Sequence, residues 1–109
     1  MDPRDIYKKY LEAGEEWADK KAAYDLLDHS TKTVEADLTL KAKSMESLSM
    51  TEARAVALSS SGYRDHLAAT YEAQRVANRA KIKLESITMW FDAARTEEAS
   101  QRAATRAMT

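Results

Sequence analysis

The residues able to do chemistry are few. The chain has two histidines, His29 and His66, and no cysteine, which removes disulfides, thiolate metal sites and a cysteine nucleophile. The histidines fall on different predicted elements and form no HExxH-type pair, so each reads as a solvated or partly packed helix residue. Carboxylates are plentiful but alternate with lysines and arginines at helical spacing, as in Glu12–Glu16–Lys20, the pattern of a solvated helix face. A carboxylate metal cluster would need acids converging from several helices. Ser59-Ser60-Ser61-Gly62 has the composition of a phosphate cradle but not the Gly-x-x-x-x-Gly-Lys spacing that closes one, and is read as a turn. The expectation is a non-enzymatic chain with no catalytic residues, no cofactor and no metal site.

Charge offers a different chemistry. From Arg75 to Lys83 there are four positive charges, on Arg75, Arg79, Lys81 and Lys83, and no acid. Three of them recur every four residues, which makes one slowly rotating helical stripe. Neutralising phosphates releases condensed counterions whatever the base sequence, so the stripe is a candidate nucleic-acid contact. Arg102 and Arg106, with Arg95 before them, form a second basic patch. Four charges per chain bind weakly, but several copies would make a multivalent track. The alternative is that these cations pair with the acidic first helix, at Asp19, Asp25, Asp28, Glu35 or Asp37. Aromatic residues can stack on single-stranded bases, yet Tyr10, Trp17 and Tyr24 fall on a packing seam and read as core or interface. Together with Leu84, Ile87, Trp90 and Phe91 they are the candidate oligomer interface. Trp90 lies off the Leu84–Ile87–Phe91 line, as an anchor for a partner would.

The elements that carry these residues are long helices. In alternating steps of four and three, Ile6, Tyr10, Ala13, Trp17, Lys20, Tyr24, Leu27, Thr31, Val34, Leu38, Lys41, Met45 and Leu48 form one heptad seam, the repeat that keeps one stripe turned toward a partner. A helix over residues 3–48 would be about 65 Å long, with Asp2 as its cap and Pro3 at its first position. Its weakest segment is Asp28-His29-Ser30-Thr31, the expected site of any bend. Ser49-Met50-Thr51-Glu52 has capping-box spacing and opens a short helix over 50–58. Gly62 then permits a positive φ in the turn. A last helix is expected over 63–104, frayed from Thr105 to Thr109. Its apolar stripe, Leu67, Ala69, Ala73, Val76, Ala80, Leu84, Ile87, Phe91 and Ala94, is wider and slips against a strict heptad. Its C-terminal half, with Met89 and Trp90, is the bulky part.

The expected fold is all-α: one helical domain over residues 1–109, a long antiparallel, coiled-coil-like hairpin with a short connecting helix. In 109 residues, 32% charged with two glycines and one proline, sheet-forming turns are scarce. The net charge of −1 argues against bulk attraction to nucleic acid or an anionic membrane. Residues 1–48 carry eight basic and eleven acidic residues, and 49–109 nine and seven, which suits antiparallel pairing. A hairpin buries only one stripe per helix, so a homo-oligomer is expected. No apolar run approaches a membrane span and the N-terminus is no signal peptide; a cytoplasmic location and no small-molecule substrate are expected.

The run Met89-Trp90-Phe91-Asp92-Ala93-Ala94-Arg95-Thr96, continuing through Glu98-Ala99, Arg102-Ala103 and Arg106-Ala107-Met108, resembles the ending of a group of small bacteriophage proteins encoded among recombination and replication genes. The turn from Ala55 to Tyr63 before a long last helix fits their layout. The order long, short, long helix is also similar to phage recombination mediators of the UvsY type. That resemblance implies an oligomer that binds single-stranded DNA and helps load a recombinase onto strands coated by single-strand-binding protein, in the bacterial host cytoplasm. In those mediators the basic DNA-binding segment lies earlier in the chain, where this sequence has Lys41 and Lys43 beside Glu46, so no DNA contact carries over residue by residue. The competing expectation is a protein-interaction module that inhibits a host nuclease or defence enzyme through the acidic row Glu12, Glu15, Glu16, Asp19, Asp25 and Asp28. A structural role in the virion ranks third.

Overall fold

The computed structural model describes residues 2–108 and is all-α. The helices are α1 (Pro3–His29), α2 (Thr31–Glu46), α3 (Met50–Leu58) and α4 (Ser61–Met108). In topology this is the expected hairpin: α1 and α2 form the outgoing arm, α3 connects, and α4 returns. Among the described residues no helix is long and apolar enough to cross a membrane. The chain divides into two compact units. Unit 1 is Met1–Asp19 with Asn78–Thr109, and unit 2 is Lys20–Ala77.

Unit 1 pairs the start of α1 with the end of α4. Asp2 caps α1 as expected, its Oδ1 accepting from the N–H of Arg4 at 2.9 Å, a bond that satisfies an otherwise unpaired helix-end donor. The pairing is antiparallel: Tyr10 stacks on Phe91, ring centroids 6.0 Å apart, while Glu16, further along α1, meets Lys83, further back on α4. Ile6, Ala13 and Ala80 are buried, and Trp17, Leu84, Ile87, Phe91 and Ala94 are half-buried. All lie on a three-four spacing. α4 runs on to Met108, so the fraying expected from Thr105 is absent up to that residue; Thr109 lies outside the described residues.

Unit 2 holds the end of α1, then α2, α3 and the start of α4. The single helix expected over 3–48 is divided at Ser30, inside the segment expected to bend. Ser30 stays in the right-handed helical region and keeps backbone bonds on both sides, from its N–H to Leu26 O and from Val34 N–H to its own carbonyl. The hydroxyls of Ser30 and Thr31 both donate to the carbonyl of Leu27, at 2.9 and 3.3 Å. Such side-chain back-bonding competes with the backbone ladder and bends helices.

Past Glu46 the backbone reverses at Ser47, whose φ of 54° and ψ of 37° are left-handed. Gly62 has no positive φ, so the freedom expected of it is spent elsewhere. It sits in the first turn of α4, where a Cβ would stand 3.3 Å from Leu38 Cδ2; its role is room for the leucine. The capping box at Ser49 forms with one change. Ser49 Oγ accepts from Glu52 N–H at 3.2 Å, but the Glu52 carboxylate accepts from the Ser49 hydroxyl, at 2.8 Å. α3 then packs back on α2 through Ala53 and Ala57, with Thr39 buried on α2. Ser60 ends α3 and starts α4: its Oγ donates to Ala57 O at 2.6 Å and accepts from Tyr63 N–H at 3.2 Å.

The α4 stripe differs from the expected one. Its inner row is a strict heptad, Tyr63, His66, Thr70, Ala73, Ala77, Ala80, Leu84, Ile87, Phe91 and Ala94, all buried or half-buried. Leu67 and Val76 only flank this row. Ala69 and Met89, expected on the face, are exposed. The apparent slip arose because half of the row in unit 2 is polar or alanine and carries little hydropathy signal.

Candidate functional site

The basic stripe lies on the single helix α4. The boundary between the units falls between Ala77 and Asn78, so Arg75 belongs to unit 2 and the rest to unit 1. Arg75 is held by Glu72 one turn earlier, through Nη2–Oε1 at 2.5 Å and Nε–Oε2 at 2.9 Å. The hydrogen bonds that Arg75 donates to Glu72, and then the carboxylate's charge, raise the Arg75 pKa. A guanidinium forked onto a carboxylate of its own helix is already neutralised.

In unit 1, Lys83 Nζ lies 3.1 Å from Glu16 Oε2. This pair links α4 to the acidic first helix, through an acid other than the five named as possible partners. Of those five, Asp25 pairs with Lys21 on its own helix, and Glu35 with Arg54 Nε at 2.8 Å. Arg79 and Lys81 are exposed and make no ion pair among the described residues. They are two residues apart, about 200° around an α-helix, so they face different directions. Arg102 and Arg106 are exposed on α4, and Arg95 lies over the Phe91 ring, its Cζ 5.9 Å from the centroid, within reach of a cation–π contact.

The interface candidates divide in a similar way. Tyr10, Trp17, Leu84, Ile87 and Phe91 take the inner rows of unit 1, and Tyr24 is half-buried in unit 2. Of these, Tyr10 and Phe91 stack on each other across α1 and α4. Trp90 remains exposed, bordering a shallow depression with Lys9, Glu12, Ala13, Lys83 and Ile87.

His66 is not solvated. In unit 2 its Nε2 lies 2.9 Å from Thr31 Oγ1 and 3.5 Å from Thr70 Oγ1. Each threonine hydroxyl also donates to a helix carbonyl, Thr31 to Leu27 and Thr70 to His66. The consistent assignment makes Nε2–H the donor to Thr31. His29 is exposed, and no three His, Asp or Glu side chains converge as metal ligands among the described residues.

Sequence reasoning missed the alanine pair of α3, the polar seam residues His66 and Thr70, and the outward position of Ile82 and Met89, which are 63% and 72% exposed. The last two were findable. They stand seven apart, on the side of α4 away from Ala77, Ala80 and Leu84. No family model, curated protein or solved structure matches the chain.

Proposed function

We propose that this chain is a non-enzymatic helical accessory protein of phage DNA recombination or replication, and that it works as a homo-oligomer. The observation that carries the reading is the thinness of its core. Among the described residues the buried apolar ones are Ile6 and five alanines, and no large side chain is fully buried. The chain leaves 8289 Å² in solvent at 12.3 kDa, where a folded monomer of that mass exposes about 6100 Å². The difference exceeds the roughly 800 Å² per partner of an ordinary stable interface. The resemblance of the C-terminal run to proteins of recombination modules supplies the setting.

Within this reading Arg79 and Lys81 supply the cations for a phosphate backbone. Two per chain are weak alone and gain from repetition across copies. Fluorescence anisotropy with labelled single-stranded DNA at about 50 mM salt tests the DNA part. Binding that weakens as salt rises, and that is lost with Arg79→Ala and Lys81→Ala together, is the expected result. No binding, or no change in the double variant, overturns it.

The inhibitor reading rests on the outer row of α1 in unit 1, where Glu12, Glu15 and Asp19 are exposed and make no ion pair among the described residues. Such a row can imitate phosphates. A stoichiometric host enzyme captured from lysate, with no nucleic acid retained, would favour that reading instead.

A further inference from the structure

We propose that the outer face of α4 in unit 1 is the self-association surface, and that it takes the same face of a second copy in antiparallel register. This rests on the oligomeric reading above and names its contact. The face runs from Ile82 through Ser86, Met89, Ala93 and Thr96 to Ala103, in steps of four and three, and each residue is exposed. Ser100 and Ala107 fall on the same row. In a chain that is 32% charged, this row has no charge at all. It is a second heptad seam, on the side of α4 opposite the one that meets α1. Two large apolar side chains, Ile82 and Met89, stand among small ones, and small residues permit helix axes to approach to about 8 Å.

Charge complementarity identifies the occupant and its direction. The row beside the seam reads Glu85, Asp92, Ala99, Arg106, and the row on its other side Lys83, Trp90, Glu97, Ala104. In an antiparallel coiled coil each flanking row meets its own copy. The alignment that uses the whole seam pairs Ala93 with Thr96, Met89 with Ser100, Ser86 with Ala103 and Ile82 with Ala107. It sets Glu85 against Arg106 of the other copy, twice by symmetry, Trp90 beside Glu97, and no like charges together. Sliding one heptad in one direction gains two Lys83–Glu97 pairs but puts Asp92 on Asp92, and in the other direction gains two Asp92–Arg106 pairs but puts Glu97 on Glu97. A parallel pair sets Asp92 against Glu97. Like charges at facing positions are unfavourable, and Lys83 is already held by Glu16, so the one alignment free of like-charge pairs is favoured. The face is thus complementary to itself.

The test is light scattering of the full chain beside Met89→Glu with Ala93→Glu, helicity being checked by circular dichroism. Both side chains are solvent-exposed, so the variant keeps its helix. A wild-type dimer, and a double variant whose dimerisation is weaker by on the order of a hundred-fold or more, is the expected result. An oligomer that survives the substitutions overturns this face while leaving self-association standing. A wild-type monomer overturns both. Spin labels at single introduced cysteines, in a chain that has none, read the direction. Ala99→Cys labels should lie about 20 Å apart and Asn78→Cys labels about 50 Å apart. Short distances at both positions mean a parallel pair and overturn the register.

Discussion

The two units solve the same problem with opposite materials. Unit 1 fills its seam with large side chains that are each half-exposed: Trp17, Leu84, Ile87 and Phe91, with Tyr10 at the edge. Unit 2 closes α2 on α3 with methyl groups and hydroxyls. Ala53 is 0% and Ala57 1% exposed, Thr39 returns its hydroxyl to Glu35 O at 2.7 Å, and His66 bonds to Thr31. Large side chains at an open seam have room to grow and much to lose on truncation. Alanines in a closed contact have nothing to lose and no room at all. The difference teaches that burial and bulk are separate quantities here, and that the tightest packing lies where hydropathy is weakest.

Substitutions at matched positions put this contrast at risk. The largest effect is expected for Ala53→Leu, where three added carbons have no space between α3 and α2. A loss of about 3 kcal/mol in chemical denaturation is expected, and an unchanged midpoint would mean that this contact is loose. Phe91→Ala in unit 1 removes a half-buried ring and its stacking on Tyr10. About 2 kcal/mol, below the range for a fully buried ring, is expected in the same measurement. Ser49→Ala removes the cap of α3 and is expected to cost about 1 kcal/mol, with early amide exchange confined to residues 50–58. The smallest effect has the opposite sign. Gly14 is helical and a Cβ there meets nothing within 4 Å, so Gly14→Ala should stabilise by about 0.7 kcal/mol. A destabilisation there would show that the open side of unit 1 is less open than its geometry.

Legibility in the sequence follows the same division. The α1 seam could be read because Ile6, Tyr10, Trp17 and Tyr24 announce themselves at heptad spacing. The α4 seam could be read from Ala80 onward for that reason, and before it only at Ala73. Tyr63, His66 and Thr70 are polar and carry little hydropathy signal, His66 bonding instead to Thr31 of α2. Scanning residues 75–83 for acids missed Glu72, three positions upstream and on the same face as Arg75. Lys83 could be matched with Glu16 only once the antiparallel alignment was known. Positive φ was assigned to Gly62 on residue type, whereas Ser47 adopts it, where the chain turns from α2 toward α3.

The bond between His66 and Thr31 does more than satisfy two polar groups. A seam of alanines is nearly the same after a shift of seven residues, so shape alone would let one helix ratchet along the other. Displaced by a heptad, the imidazole would face Tyr24 or Leu38 instead of Thr31 and lose its 2.9 Å bond across the two helices. A single polar latch therefore tells two otherwise slippery surfaces where to stop.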